Sequence, residues 1–178
     1  MGTYDFWEEK KQILALDPGD KQTGWAHIVM PDFALVHFGK TDNETLLEEI
    51  SSLASDADVC AIEMIASYGM PVGKSVFDTC VWIGRLWENI SVFVDVPVDF
   101  IYRKDEKISI CGSMKAKDAN IRQELINRYA THDFKTGKGT KKDPDTFYGV
   151  SADVWQAIAV GVTWYEKTIS QKEKAPSE

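Results

Sequence analysis

At 178 residues the chain has the length of one domain with at most a short tail, which excludes a large two-domain enzyme. Apolar residues make up 44% and charged residues 27%, values that sustain a packed core and exclude wholesale disorder. With 28 Asp+Glu against 20 Lys+Arg the formal charge is −8, so a uniformly basic coat is excluded and any contact with a polyanion has to be a local patch. Cys60, Cys80 and Cys111 are odd in number and form no CxxC pair, which speaks against a disulfide framework or zinc knuckle and for a reducing, cytoplasmic setting. MGTYDFWEEKKQ lacks an apolar signal core, and the longest nearly charge-free stretch, Val154 to Tyr165, is short of the ~20 residues of a membrane span.

In chain order, residues 1–10 read as an extension, 11–169 as the folded domain and 170–178 as a polar tail. Lys11–Asp17 (KQILALD), Thr23–Met30 and Phe33–Lys40 follow one another at hairpin distances and predict three consecutive antiparallel strands. Asn43–Ser55 spaces Leu46, Leu47, Ile50 and Leu53 as an amphipathic helix behind an Asn43 cap. Asp58–Glu63 (DVCAIE) is an uninterrupted apolar run, the pattern of a strand buried on both faces, and it ends on a carboxylate.

Gly73–Ile90 has helical period, with Val76, Cys80, Ile83 and Trp87 on one side and Phe77, Val81 and Gly84 on another. Its apolar circumference exceeds what one sheet covers. Val98–Tyr102 predicts a fifth strand, Lys115–Ala130 a charged helix, Thr131–Val150 a Gly/Lys/Asp-rich loop and Ser151–Ile169 a last helix. The order β-β-β-α-β-α-β-α-α lets strands 1, 4 and 5 be joined by helical crossovers.

Three carboxylates stand at element ends. Asp17, in Asp17-Pro18-Gly19, closes the first strand; a turn aspartate and a phosphate-binding hairpin are alternative readings of that tripeptide. Glu63 ends an apolar strand, where it either emerges into solvent or meets a cation. Asp153 opens the last helix, where the helix dipole alone favours an acid. Jointly they form a hard-oxygen set suited to Mg²⁺ or Mn²⁺, such as two-metal phosphodiester cleavage uses.

Asp17-Pro18-Gly19-x-x-x-Thr23-Gly24-Trp25 resembles the opening motif of the RuvC family of Holliday-junction resolvases, and the resemblance continues through Ala61-Ile62-Glu63, YGMPVGKSVFDTCVWIGRLWE, KAKDANIRQ and ADVWQAIAV. It spans roughly residues 11–166 and is strongest toward the phage-borne branch of bacterial cytoplasmic enzymes. The resemblance implies a ribonuclease H-like α/β fold: a five-stranded mixed sheet, strands 1–3 antiparallel, 4 and 5 parallel to 1, helices on both faces. It implies a homodimer that cuts four-way DNA junctions with two Mg²⁺ or Mn²⁺ ions, leaving 5′-phosphate and 3′-hydroxyl ends, and Asp17, Glu63 and Asp153 match the family's metal-binding acids. A flap or RNA-directed nuclease of the same fold, and a branched-DNA-binding protein with weakened catalysis, are the alternatives.

One position departs from the family pattern, which often has an acid three residues after Asp153 where this chain has Gln156. A neutral amide coordinates weakly or stays outside the metal's first sphere, so the expectation is weak hold on a second ion, unless an upstream acid, Asp143 or Asp145, replaces the charge. Basic residues cluster at Lys115, Lys117, Arg122 and Arg128 around one helix and at Lys135, Lys138, Lys141 and Lys142 in the next loop. The expected DNA contacts are Lys74, Lys115, Lys117, Arg122, Lys138, Lys141 and Lys142, with Tyr68 as a wedge at the junction's unstacked centre; nearby acids make a solvated face the alternative. His27, His37 and His132 have no zinc spacing and read as structural.

Overall fold

The structure, a computed structural model, describes residues 10–67, 69 and 71–174. β1 (Lys11–Pro18), β2 (Gln22–Met30) and β3 (Ala34–Asp42) form an antiparallel meander, followed by α1 (Asn43–Ala54), β4 (Val59–Met64), α2 (Lys74–Asn89), a π-type turn over Ile90–Val94, and β5 (Val98–Tyr102). α3 (Arg103–Cys111), α4 (Asp118–Tyr129) and α5 (Ala152–Lys174) complete the chain. The strands make one sheet in the order β3-β2-β1-β4-β5, with β4 parallel to β1 and β5 parallel to β4.

The central strand shows why its sequence is continuously apolar. Successive side chains of a strand point to opposite faces. Ile13 and Ala15 accordingly join Val59, Ala61 and the inner face of α5 in one core, while Leu14 and Leu16 join Cys60, Ile62, α1 and α2 in another. All four β1 residues are fully buried, and each large one contributes about 1.5–3 kcal/mol. α5 lies hard on the sheet at Gly161, where a Cβ would come within 2.7 Å of the Ile28 side chain and 3.1 Å of Ala15.

Four expectations are corrected. The chain has a further helix, α3, between β5 and α4. RKDEKISIC has too few apolar residues to show a period, and the helix is held by packing on α4 and α5, with Ile110 buried between them. Asn43 is not a cap: it lies inside the first turn of α1, and its side chain donates to the Gly19 carbonyl (2.9 Å) and accepts from the Thr23 hydroxyl (2.7 Å). That buried pair clamps the β1–β2 turn onto α1. The charged helix begins at Asp118 rather than Lys115, and α5 continues through residues 170–174 of the expected tail. No helix among the described residues is long and apolar enough to cross a membrane.

Candidate metal centre

Strand register brings the first two carboxylates together. β1 and β4 run parallel with Ala15 beside Ala61 and Leu16 beside Ile62, so Asp17 and Glu63 end adjacent strands side by side. By alternation both project to the face that carries α5. The two side chains are in hydrogen-bond contact. Burial first, then the Glu63 contact and its negative charge, push the Asp17 carboxyl far above the usual carboxylate range.

Asp153 arrives from the first turn of α5. Its main chain sits directly on Gly24, where a Cβ would lie 2.6 Å from the Asp153 carbonyl oxygen; Gly24 in turn pairs with Asp17 across the β1–β2 ladder. Thr23-Gly24-Trp25 is thus a seat for the α5 terminus: Thr23 locks the turn, Gly24 admits the helix, and the Trp25 indole donates to Thr41 (3.0 Å). Asp17, Gly19, Gly24, Lys40 and Asp153 line a cleft of about 290 Å³. Within it the Asp153 carboxylate is ion-paired with Lys40 of β3.

Gln156, one turn further along α5, is occupied by Arg103, whose Nη1 donates to Gln156 Oε1 and to Glu106 Oε2, each at 2.5 Å, while Nη2 donates to Asp118. Glu106 is fully buried. Burial, then the charge of Glu63, raise its carboxyl above the ordinary range against the pull of Arg103.

Glu106, Arg103 and Lys40 were not among the expected site residues. Glu106 left no sequence signal, because α3 has too few apolar residues to show a period; its place on one helix face with buried Ile110, four residues on, becomes visible only in the folded chain.

Of the expected site residues, the structure joins Asp17 to Glu63, places Asp153 in the same cleft facing Lys40, and attaches Gln156 to Arg103. Among the described residues no three His, Cys, Asp or Glu side chains already converge tightly enough to cage an ion. The donor set nevertheless suits a divalent cation. All its donors are hard oxygens, Asp17 and Glu63 lie side by side with the Asp17 carboxyl buried, and one oxygen of buried Glu106 has no partner among the described residues.

Asp145 is not the replacement acid. It is buried in its own loop and accepts from the N–H groups of Thr131, His132, Asp133 and Thr146 at 2.6–3.0 Å. Asp143 is exposed beside His132.

Lys115, Lys117, Arg122, Lys138, Lys141 and Lys142 are exposed, and Lys74 is exposed beside Asp78. Arg128 is instead tied down on the surface, donating to Glu124, Glu166 and the Ile110 carbonyl. Tyr68 lies outside the described residues.

Sheet order, parallel β1/β4/β5 and the α5 terminus over the strand ends define a ribonuclease H-like fold in its RuvC form. Thermus thermophilus RuvC in complex with a Holliday junction substrate superposes with a TM-score of 0.71 at 11% identity, over 90% of this chain and 96% of that one. Another Thermus thermophilus RuvC structure gives 0.66 at 11% identity with the same coverage. The yeast mitochondrial Holliday junction resolvase gives 0.62 at 9% identity, over 92% of this chain and 81% of that one. No protein-family model matches the sequence, and no curated protein aligns with it significantly.

Proposed function

We propose that the protein is a divalent-metal-dependent endonuclease that resolves four-way DNA junctions as a homodimer in the cytoplasm. The observation that carries the reading is the pairing of Asp17 and Glu63 at the ends of adjacent parallel strands, beneath the α5 terminus, in a fold shared with a resolvase in complex with its junction. Mg²⁺ or Mn²⁺, two ions when fully loaded, would supply an activated water and stabilise the leaving oxygen. Asp17 and Glu63 would hold them, and Asp153 would join on release from Lys40. Freed Lys40 is then a cation at the mouth of the cleft, placed to meet a phosphate.

The dimer reading is supported by an exposed stripe on α2, where Phe77, Cys80, Val81, Gly84 and Trp87 recur at helical spacing and continue into Val92 and Phe93 of the following turn. Phe77, Val81 and Phe93 are 60%, 62% and 73% exposed, a continuity that isolated surface apolar residues lack. A two-fold pair would set two sites on a two-fold substrate. The exposed lysines and Arg122 supply the local basic patches that an acidic chain needs for DNA contact.

The engagement of Asp153 by Lys40 and of Gln156 by Arg103 favours a second reading, a junction-binding protein with weakened catalysis. One experiment decides between them: a mobile and a fixed four-way junction incubated with Mg²⁺ or Mn²⁺. Paired, symmetric nicks on strands of like polarity support the resolvase, binding without product in Mn²⁺ supports the second reading, and preferential cutting of flaps or RNA hybrids overturns junction resolution.

A further inference from the structure

We propose that Glu106 of α3 supplies the fourth carboxylate of the metal centre, entering from beside β5 on the side where α5 presents the neutral Gln156. The proposal rests on the reading of Asp17 and Glu63 as metal-binding residues.

Glu106 is fully buried at a helix position where the 106/110 face calls for an apolar side chain, and Ile110 provides one. A buried ion pair is often no more stabilising than apolar residues of the same volume, so a carboxylate kept there serves something other than stability.

The Glu106–Arg103 pair is incompletely satisfied. Arginine–carboxylate pairs are frequently bidentate, with both oxygens engaged through two parallel N–H bonds. Arg103 engages only Oε2 and divides its remaining donors between Gln156 and Asp118, leaving Oε1 buried and without a partner among the described residues. A buried carboxylate oxygen without a partner destabilises the fold.

Glu106 stands within electrostatic range of Asp17 and Glu63, and the guanidinium that holds it contacts Gln156, one turn from Asp153. Arg103 thus holds the place of a cation between α3 and α5. A metal ion at Asp17 and Glu63 that drew in the unpartnered oxygen of Glu106 would receive the charge missing at position 156 from a different helix.

The test reads the bound ion rather than cleavage. Mn²⁺ binding is followed by electron paramagnetic resonance, and Eu³⁺, a luminescent probe of hard-oxygen sites, reports the number of coordinated waters from its decay in H₂O and D₂O. The full-length native protein is compared with Glu106→Gln, Glu106→Asp and Asp17→Asn, each checked by thermal melting. The expectation is that Glu106→Gln weakens Mn²⁺ binding by about tenfold or more and adds about one coordinated water. Glu106→Asp preserves the charge and the Arg103 pair, and should still add that water because its side chain is one methylene shorter; it also serves if the amide variant fails to fold.

If both Glu106 variants keep the native water count, Glu106 only orients Arg103 or acts through space, and the proposal is overturned even if affinity falls. If the native protein binds an ion that Asp17→Asn abolishes but the Glu106 variants leave unperturbed, this inference alone fails. If the native protein binds no ion, the metal-dependent reading fails with it.

Discussion

The 131–150 loop and the sheet end that carries Asp17 both bury acidic side chains, and they do so by opposite means. In the loop, Asp145 collects four backbone N–H donors and the Thr131 hydroxyl. Burial by itself would raise its carboxyl, but those donors hold it well below the ordinary carboxylate range. Asp133 is held low by the Thr136 hydroxyl and by the N–H groups of Thr136, Gly139 and Lys135. At the sheet end Asp17 and Glu106 face other carboxylates, and burial with few donors raises both. An acid ringed by N–H groups is part of the scaffold; an acid ringed by acids is kept at some expense of stability, and on the proposed reading a cation would offset that expense.

The largest expected effect breaks the comparison on the site side. Asp17→Asn or Glu63→Gln should lower junction cleavage by about 10³-fold, since each removes a charge on which metal-assisted hydrolysis depends. Junction binding by gel shift should persist, and melting in the presence of chelator should hold or rise, because the amide relieves repulsion between buried carboxylates. Single-turnover cleavage at the native rate in either variant would remove that residue from the site.

The same substitution in the loop should do the reverse. Asp145→Asn loses a charged acceptor shared by several donors and should cost about 3 kcal/mol, roughly 6–12 °C in melting temperature for a domain of this size. The pH dependence has a definite sign: Asp133 and Asp145 have folded pKa values below the ordinary aspartate value of 3.8, so their contribution is fully present above about pH 4 and drains away as pH falls toward the folded values. Amide-exchange protection at Thr131, His132 and Asp133 should therefore be flat from neutrality to about pH 4 and fall below it. Loss of protection already between pH 7 and 5 would contradict this account.

The comparison also depends on two sites acting together. Phe77→Asp on the exposed α2 stripe should weaken self-association by about 2 kcal/mol and, under dilution, convert paired cuts into single nicks. Sedimentation at assay concentration measures the first, and nick counting on a supercoiled cruciform the second. A monomeric native protein that still makes paired cuts would refute the dimer.

What could be read in the sequence followed from local pattern. KQILALD and DVCAIE showed both a buried strand and its terminal acid, because strand alternation and apolar runs are local properties. β5 was legible over Val98–Tyr102 for the same reason. α3 was not, since the burial of Glu106 and Ile110 is created by α4 and α5 rather than by RKDEKISIC itself. The clamp made by Asn43, the Lys40–Asp153 pair and the capture of Asp145 by its own loop depend on contacts between segments distant along the chain or on loop closure, which no periodicity records.

The smallest expected effect concerns Gln156. From sequence alone, Gln156→Asp should tighten divalent-ion binding, because the neutral amide leaves one cation weakly held. The structure tempers this, since Gln156 Oε1 accepts from Arg103, and an acid at that position would first be neutralised by the adjacent guanidinium. Mn²⁺ affinity should therefore rise by less than about tenfold, under ~1.4 kcal/mol. Mn²⁺ should remain the better ion for cleavage, because Mg²⁺ demands stricter octahedral geometry. Asp143→Asn, with its side chain exposed beside His132, should leave both quantities unchanged. Paramagnetic titration of native protein and both variants, with cleavage rates in each metal, makes the measurement. A hundredfold gain for Gln156→Asp would place position 156 directly on the ion and show that Arg103 does not screen it, and no gain at all would place it outside the ion's reach.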